Sequence, residues 1–141
     1  MMNVILDTNI WISFLFGKRL QSVASVFDNA DVKVFVSQEL ISEIQSVISR
    51  PKIHTHISTE AIEAMWDLMR DRCYPIENYP VVETPVRDIK DVYLLAMSEA
   101  IPAHILVTGD KDLLVLKQHH NTMIINYQQF LLLLSGLRTQ V

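Results

Sequence analysis

Four short apolar runs most constrain what this chain can fold into. Val4-Ile5-Leu6, Val32–Val36, Ile105–Thr108 and Met123-Ile124-Ile125 are rich in β-branched residues and read as strands. Longer amphipathic runs alternate with them and read as helices, near residues 20–29, 38–49, 59–72, 88–100, 112–118 and 127–134. Pro51 stops the second of these after Arg50. Strands that read as apolar throughout, separated by helices, imply a parallel sheet covered on both faces. The expected fold is therefore α/β, a three-layer α/β/α sandwich with a central parallel sheet and right-handed crossovers. The 141 residues suit a single domain spanning 1–141, and no linker, repeat or low-complexity stretch divides them.

Composition narrows the function classes. Half the residues are apolar and a fifth charged, an ordinary globular balance. The net charge of −4 argues against a protein that grips nucleic acid by bulk charge. It leaves room for an enzyme whose negative charge is gathered in one site. The lone Cys73 excludes an internal disulfide, fits a cytoplasmic setting and reads as a half-buried small hydrophobe. The N-terminus lacks the basic and long apolar regions of a signal peptide. No apolar run approaches the ~20 residues a membrane span needs, so no membrane role is expected.

In open α/β sheets, sites form outside the carboxyl ends of the strands. Asp7 directly follows Val4-Ile5-Leu6, and Asp110 stands two residues after Thr108. Helix capping is the competing role for each, since Asp is a good N-cap. Within 38–49, Leu40, Ile41, Ile44, Val47 and Ile48 make one apolar stripe. Glu43 borders that stripe, while Glu39 lies further toward solvent, so Glu43 is the acid of this helix expected to reach the sheet. Asp88 and Asp91 have capping-box spacing, with Asp88 as cap and Asp91 one turn in. Two carboxylates about 4 Å apart repel by ~1 kcal/mol in water and about 4 kcal/mol at an effective dielectric of about 20. A gathering of four needs a cation, and all-oxygen acidic sets suit Mg²⁺ or Mn²⁺ rather than zinc.

Leu6-Asp7-Thr8-Asn9, then Glu43 within Glu39–Ile44, Asp88-Ile89-Lys90-Asp91 and Val107–Leu113 follow one another in an order that resembles the PIN-domain family. The closest likeness is to the toxin components of bacterial and archaeal toxin–antitoxin pairs, and it spans nearly the whole chain. The resemblance implies a Mg²⁺- or Mn²⁺-dependent endoribonuclease, a homodimer, and a small antitoxin protein that covers the site. By position it makes Asp7, Glu43, Asp91 and Asp110 the metal-holding catalytic acids, with Asp112 as a further acid. Thr8, Asn9 and Thr108 match polar residues that orient the acids. Ile89, Val92 and the segment Ile101-Pro102-Ala103-His104 depart from the family pattern, and these departures bear on the support of Asp91 more than on the acids themselves.

The alternatives are an inactive PIN-like RNA- or protein-binding module, and a phosphatase-like phosphoryl-transfer enzyme. Haloacid-dehalogenase-like phosphatases carry a second Asp two residues after the first, where this chain has Asn9. Lys111, between two candidate acids, is the leading phosphate contact, ahead of Lys18, Arg19, Arg50, Lys52 and Lys117. His54, His56, His119 and His120 have no cysteine or acid at zinc-site spacing and read as solvated loop residues. Trp11, Ile12, Phe14, Leu15 and Phe16 read as core. The Leu-rich C-terminal segment and Trp66 are candidates for a dimer or antitoxin surface.

Overall fold

Alternate residues of the central strands go to opposite sides of one sheet. Val4, Leu6, Ile105, Val107 and Ile125 join one hydrophobic cluster, whereas Ile5, Leu106 and Ile124 join another. That two-residue period is what a strand buried on both faces requires. The computed structural model describes residues 2–16, 25–77 and 89–139, the last stretch without the side chains of 89–91 and 137–139. Its strands are β1 (Met2–Leu6), β2 (Val32–Ser37), β3 (Tyr74–Ile76), β4 (Ile105–Val107), β5 (Gln118–His119) and β6 (Thr122–Ile125), in the sheet order β3-β2-β1-β4-β6-β5. All pair in parallel except β5, which returns antiparallel along β6. Val4 sits opposite Val34 on one side and Ile105 on the other. A slip of one residue would exchange the two faces, so burial on both sides fixes the register.

The helices are α1 (Thr8–Ser13), α2 (Gln38–Ile48), α3 (Pro51–His54), α4 (Thr59–Arg72), α5 (Ile89–Ala100), α6 (Lys111–Leu114) and α7 (Tyr127–Thr139). One cluster takes Trp11 from α1, Leu40 and Ile44 from α2, Met65 and Met69 from α4, and Phe130 and Leu134 from α7. The other takes Leu94, Leu95 and Met97 from α5 and Leu113 from α6. The three-layer arrangement is thus the expected one, with Trp11, Ile12, Phe14 and Leu15 in the core. Cys73 is half-buried, and burial pushes its thiol up to about 12, the behaviour of a packing residue and not of a nucleophile.

Several local expectations shift. The run after Asp7 forms α1 at once, because Asp7 in extended conformation accepts the Thr8 N–H and starts the helix. Pro51 ends α2 and also opens α3, its missing N–H costing nothing at a first helical position. The helix expected over 112–118 is only α6, since Lys117 adopts a left-handed φ of 61°. Of the helix expected over 20–29, residues 20–24 lie outside the described residues and 25–27 are helical.

Candidate active site

The strand order reverses at β1. The chain leaves β1 for β2 on one side, and β4 lies on the other, so a crevice opens at the carboxyl ends of β1 and β4. Asp7 follows β1 into that crevice and is 5% exposed. Its Oδ1 accepts the Thr8 backbone N–H at 2.6 Å, and its Oδ2 accepts the Thr108 hydroxyl at 2.6 Å and the Asn9 side-chain amide at 3.4 Å. Burial nevertheless pushes the Asp7 carboxyl from 3.8 up to about 6, with the Thr108 and Thr8 hydrogen bonds opposing the rise and the charges of Glu43 and Asp110 adding to it.

Thr108, the residue after β4, is fully buried and joins two acids. Its hydroxyl donates to Asp7 and accepts the Asp110 backbone N–H at 3.0 Å. Asp110 caps α6, its Oδ1 accepting the Asp112 N–H at 2.9 Å. Asn9 bridges the same two loops, since its Oδ1 accepts the Gly109 N–H at 3.1 Å while its amide reaches Asp7. The capping role weighed for Asp7 and Asp110 is therefore real. It holds both side chains at the strand ends and does not remove them from the crevice.

From α2, Glu43 comes to the site and Glu39 stays exposed, as the helical phase predicts. Ser37 fixes that phase by capping α2 through the Leu40 N–H at 3.2 Å. Glu43 Oε2 accepts the Tyr93 hydroxyl at 2.6 Å, and the same hydroxyl lies 3.5 Å from Thr8 Oγ1. Tyr93 is the residue that reading the sequence missed. It lies in the second turn of α5 among core residues, and nothing in its sequence context marks its hydroxyl as polar machinery. Burial and the Glu43 carboxylate push its phenol well above the ordinary 10, so it remains a donor at any working pH. Tyr93→Phe should release Glu43 and cost about 1–2 kcal/mol of stability, a half-buried hydrogen bond to a charged group. Thermal melts check this, and an unchanged melting temperature would show that Glu43 needs no such anchor.

A polar chain thus runs from Asp110 through Thr108 and Asp7 to Thr8, Tyr93 and Glu43, drawn from the β1–α1 junction, α2, α5 and the loop after β4. The PIN domain family model matches residues 3–112. The chain belongs to the PIN domain family. Two solved structures share the fold. One is VapBC2 from Rickettsia felis bound to a promoter DNA fragment, at 16% identity and a TM-score of 0.56, covering 89% of this chain and 98% of that one. The other is a domain of a functionally unknown protein from Methanocaldococcus jannaschii, at 14% identity and a TM-score of 0.55, covering 90% and 91%. No curated protein matches the sequence. PIN domains are generally nucleases, which sets the coarse class of this one.

The remaining expected residues of the PIN domain are placed unevenly. Asp91 lies in the first turn of α5, with its side chain outside the described residues, as is Asp88. Asp112 and Lys111 are exposed on α6, and Asp112 joins the network only through its backbone N–H. Lys18 and Arg19 lie outside the described residues, while Arg50, Lys52 and Lys117 are exposed. The segment Ile101–His104 closes the far end of α5, where Asn3 donates to Ile101 O at 3.0 Å. That corrects its expected link to Asp91, which is a full helix away. His54 and His56 are exposed as expected, though His54 ends α3 and is not in a loop, and His119 is not a loop residue either: it lies in β5 with a side chain only 11% exposed, against Glu99.

The acids suit a hard divalent cation by their chemistry. The charged groups that bear on Asp7 are the Glu43 and Asp110 carboxylates, the neighbouring Thr108 and Asn9 side chains add neutral oxygens, and no cationic side chain pairs with Asp7 among the described residues. Among the described residues, Asp7, Glu43 and Asp110 are not gathered as tightly as Glu99, His119 and His120, whose ligand atoms lie within 4.8 Å of one another. Tyr93 fixes Glu43, and Thr108 fixes Asp7.

Proposed function

We propose that this PIN domain is a Mg²⁺- or Mn²⁺-dependent endoribonuclease, the toxin of a toxin–antitoxin pair. Asp7, Glu43, Asp91 and Asp110 would hold the ion, with Asp112 as an outer acid and Thr8, Asn9 and Thr108 orienting the acids. The observation that carries this reading is Asp7: a buried carboxylate at the switch point, hydrogen-bonded on both oxygens and destabilised by Glu43 and Asp110. Such an arrangement stores unfavourable charge that a divalent cation relieves. When bound, the ion supplies an activated water and stabilises the leaving oxygen of a phosphodiester.

The protein's own residues would do the rest. Thr108 and the Thr8 N–H fix the Asp7 carboxylate, and Tyr93 fixes Glu43. A 610 Å³ groove leads away from Glu43 and Tyr93 along α2 past Ser42 and Ser46 to Arg50. An RNA strand lying there would meet Arg50 as a phosphate contact, with Lys111 offering another on the far side of the acids. Few cations line this path, consistent with the −4 net charge, so placement rests on groove shape more than on bulk attraction.

The Rickettsia felis neighbour is VapBC2 bound to promoter DNA, and the likeness supports a protein partner for this chain. α7 turns Phe130 and Leu134 inward and leaves Leu132 72% exposed beside Leu131, a surface suited to a homodimer or antitoxin contact. The direct test is incubation of a mixed RNA pool with the protein in Mg²⁺, Mn²⁺ or chelator, with mapping of the cut ends. Metal-dependent internal cuts that vanish in Asp7→Asn are expected. RNA left equally intact by wild type and Asp7→Asn across metals would sink the nuclease reading in favour of a binding module.

A further inference from the structure

We propose that Glu99, His119 and His120 form a separate transition-metal site that takes Zn²⁺. It lies at the opposite end of the sheet from the acids and does not depend on the nuclease reading. Glu99 stands at the C-terminal end of α5, His119 in β5, and His120 in the two-residue loop joining β5 to β6. Their ligand atoms lie within 4.8 Å of one another. His119 Nε2 is 3.0 Å from Glu99 Oε2, and His120 Nε2 is 3.5 Å from Glu99 Oε1. The histidines meet different oxygens of the one carboxylate, at separations near the roughly 3.3–3.4 Å between ligands about 2.0–2.1 Å from a tetrahedral ion, so modest side-chain shifts would close the group on zinc.

The backbone supplies an independent reason. Neighbouring residues in a strand point to opposite faces, so consecutive histidines should diverge. Here both rings reach one carboxylate, their centroids 4.5 Å apart. They converge because His120 takes a left-handed φ of 51°, at the loop position where such hairpins favour glycine. A bulky residue held there bears a conformational cost, and strain of this kind is found where a side chain must be aimed. The hairpin is also pinned: Gln118 Nε2 donates to His120 O at 2.6 Å, and the Thr122 hydroxyl donates to Ala103 O at 2.6 Å.

The donor set is two imidazoles and one carboxylate, a borderline mixture suited to zinc and unlike the all-oxygen acids around Asp7. A 230 Å³ cavity lined by Ser98, Asn121 and Thr122 adjoins Glu99 and His120 and leaves room for water as a fourth ligand. A bound ion would clip the edge strand β5 to the end of α5. The competing state is a plain Glu–His hydrogen-bonded cluster with no ion.

Calorimetric titration of the chelator-treated full chain with Zn²⁺, in saturating Mg²⁺, separates the two. One Zn²⁺ per chain is expected in both wild type and Asp7→Asn, which shows that the acids are not the zinc site. Affinity should fall more than about tenfold in His119→Gln and in His120→Asn. Asn tolerates the left-handed backbone at 120, so that variant removes the ligand without refolding the loop. Co²⁺ substitution should give a four-coordinate visible absorption band in wild type that both variants lose. Metal-free melts of the variants confirm that they fold. Absence of stoichiometric Zn²⁺ binding, or binding that both folded variants retain, overturns the site.

Discussion

Asp7→Asn should abolish metal-dependent cleavage and, at pH 8 without metal, raise the melting temperature. The two effects have one cause. Burial with Glu43 and Asp110 nearby lifts the Asp7 carboxyl from 3.8 to about 6. A folded-state value above the unfolded one means that the native state binds the proton more tightly, so this group's contribution to stability is full below about 3.8. It is lost as pH rises through about 6. Above that, ionised Asp7 costs the metal-free fold up to about 3 kcal/mol. Asn removes the charge and keeps the shape, but weakens the charge-assisted bonds from Thr108 and Thr8. A net gain of about 1–2 kcal/mol follows, or roughly 3–8 °C for a chain of this size. The gain should shrink as pH falls from about 6 toward 4, where wild-type Asp7 is already neutral. Mn²⁺ should raise the melting temperature of wild type above pH 6, less so below it, and not in the variant, because the ion needs the deprotonated acid. Activity should drop at least a hundredfold, roughly the loss expected on removing a direct ligand. Melts in chelator at pH 5 and 8 decide the matter. A variant less stable than wild type at both would show that Asp7 is a structural cap and not a stored charge.

Those features were legible in the sequence where one physical rule dominates. Val4-Ile5-Leu6 and Ile105-Leu106-Val107 announce buried strands because no polar residue interrupts them, and the strand-end rule then points to Asp7 and Asp110. Glu43 was separable from Glu39 because α2 is long and regular enough for its apolar stripe to define a phase. What escaped depends on contacts distant in sequence. Tyr93 meets Glu43 across 50 residues, and Glu99 meets His119 across 20, so no local spacing reveals either pair. β3 escaped because Pro75 sits in a three-residue edge strand, where a missing donor is tolerated but the strand pattern is broken. β5 is shorter still, and its pairing is set by a left-handed turn that no glycine marks.

Thr108→Val should be the most damaging substitution outside the acids. Valine matches threonine in shape, so the buried space stays filled and only the hydroxyl is lost. That hydroxyl serves two partners at once: it donates to Asp7 Oδ2 at 2.6 Å and accepts the Asp110 N–H at 3.0 Å. Removing it leaves a buried carboxylate without its short side-chain donor, only the 3.4 Å Asn9 amide remaining, and a backbone N–H without an acceptor. The first costs about 1.5–3 kcal/mol, and the second about 1 kcal/mol because Asp110 is only part-buried, giving roughly 2–4 kcal/mol together. The Thr108 bond is the largest influence holding the Asp7 carboxyl down, so its loss must push that group higher still. The pH at which metal-dependent activity appears should therefore move upward, and cleavage at pH 7 should fall by about a hundredfold. Thr108→Ser keeps the hydroxyl and gives up only a methyl, so it should restore the wild-type pH profile while remaining about 1 kcal/mol less stable. Comparing the three proteins by pH–rate profile and thermal melt separates positioning from packing. If Val and Ser shift stability alike and neither moves the profile, Thr108 fills space and does not hold the acids in place.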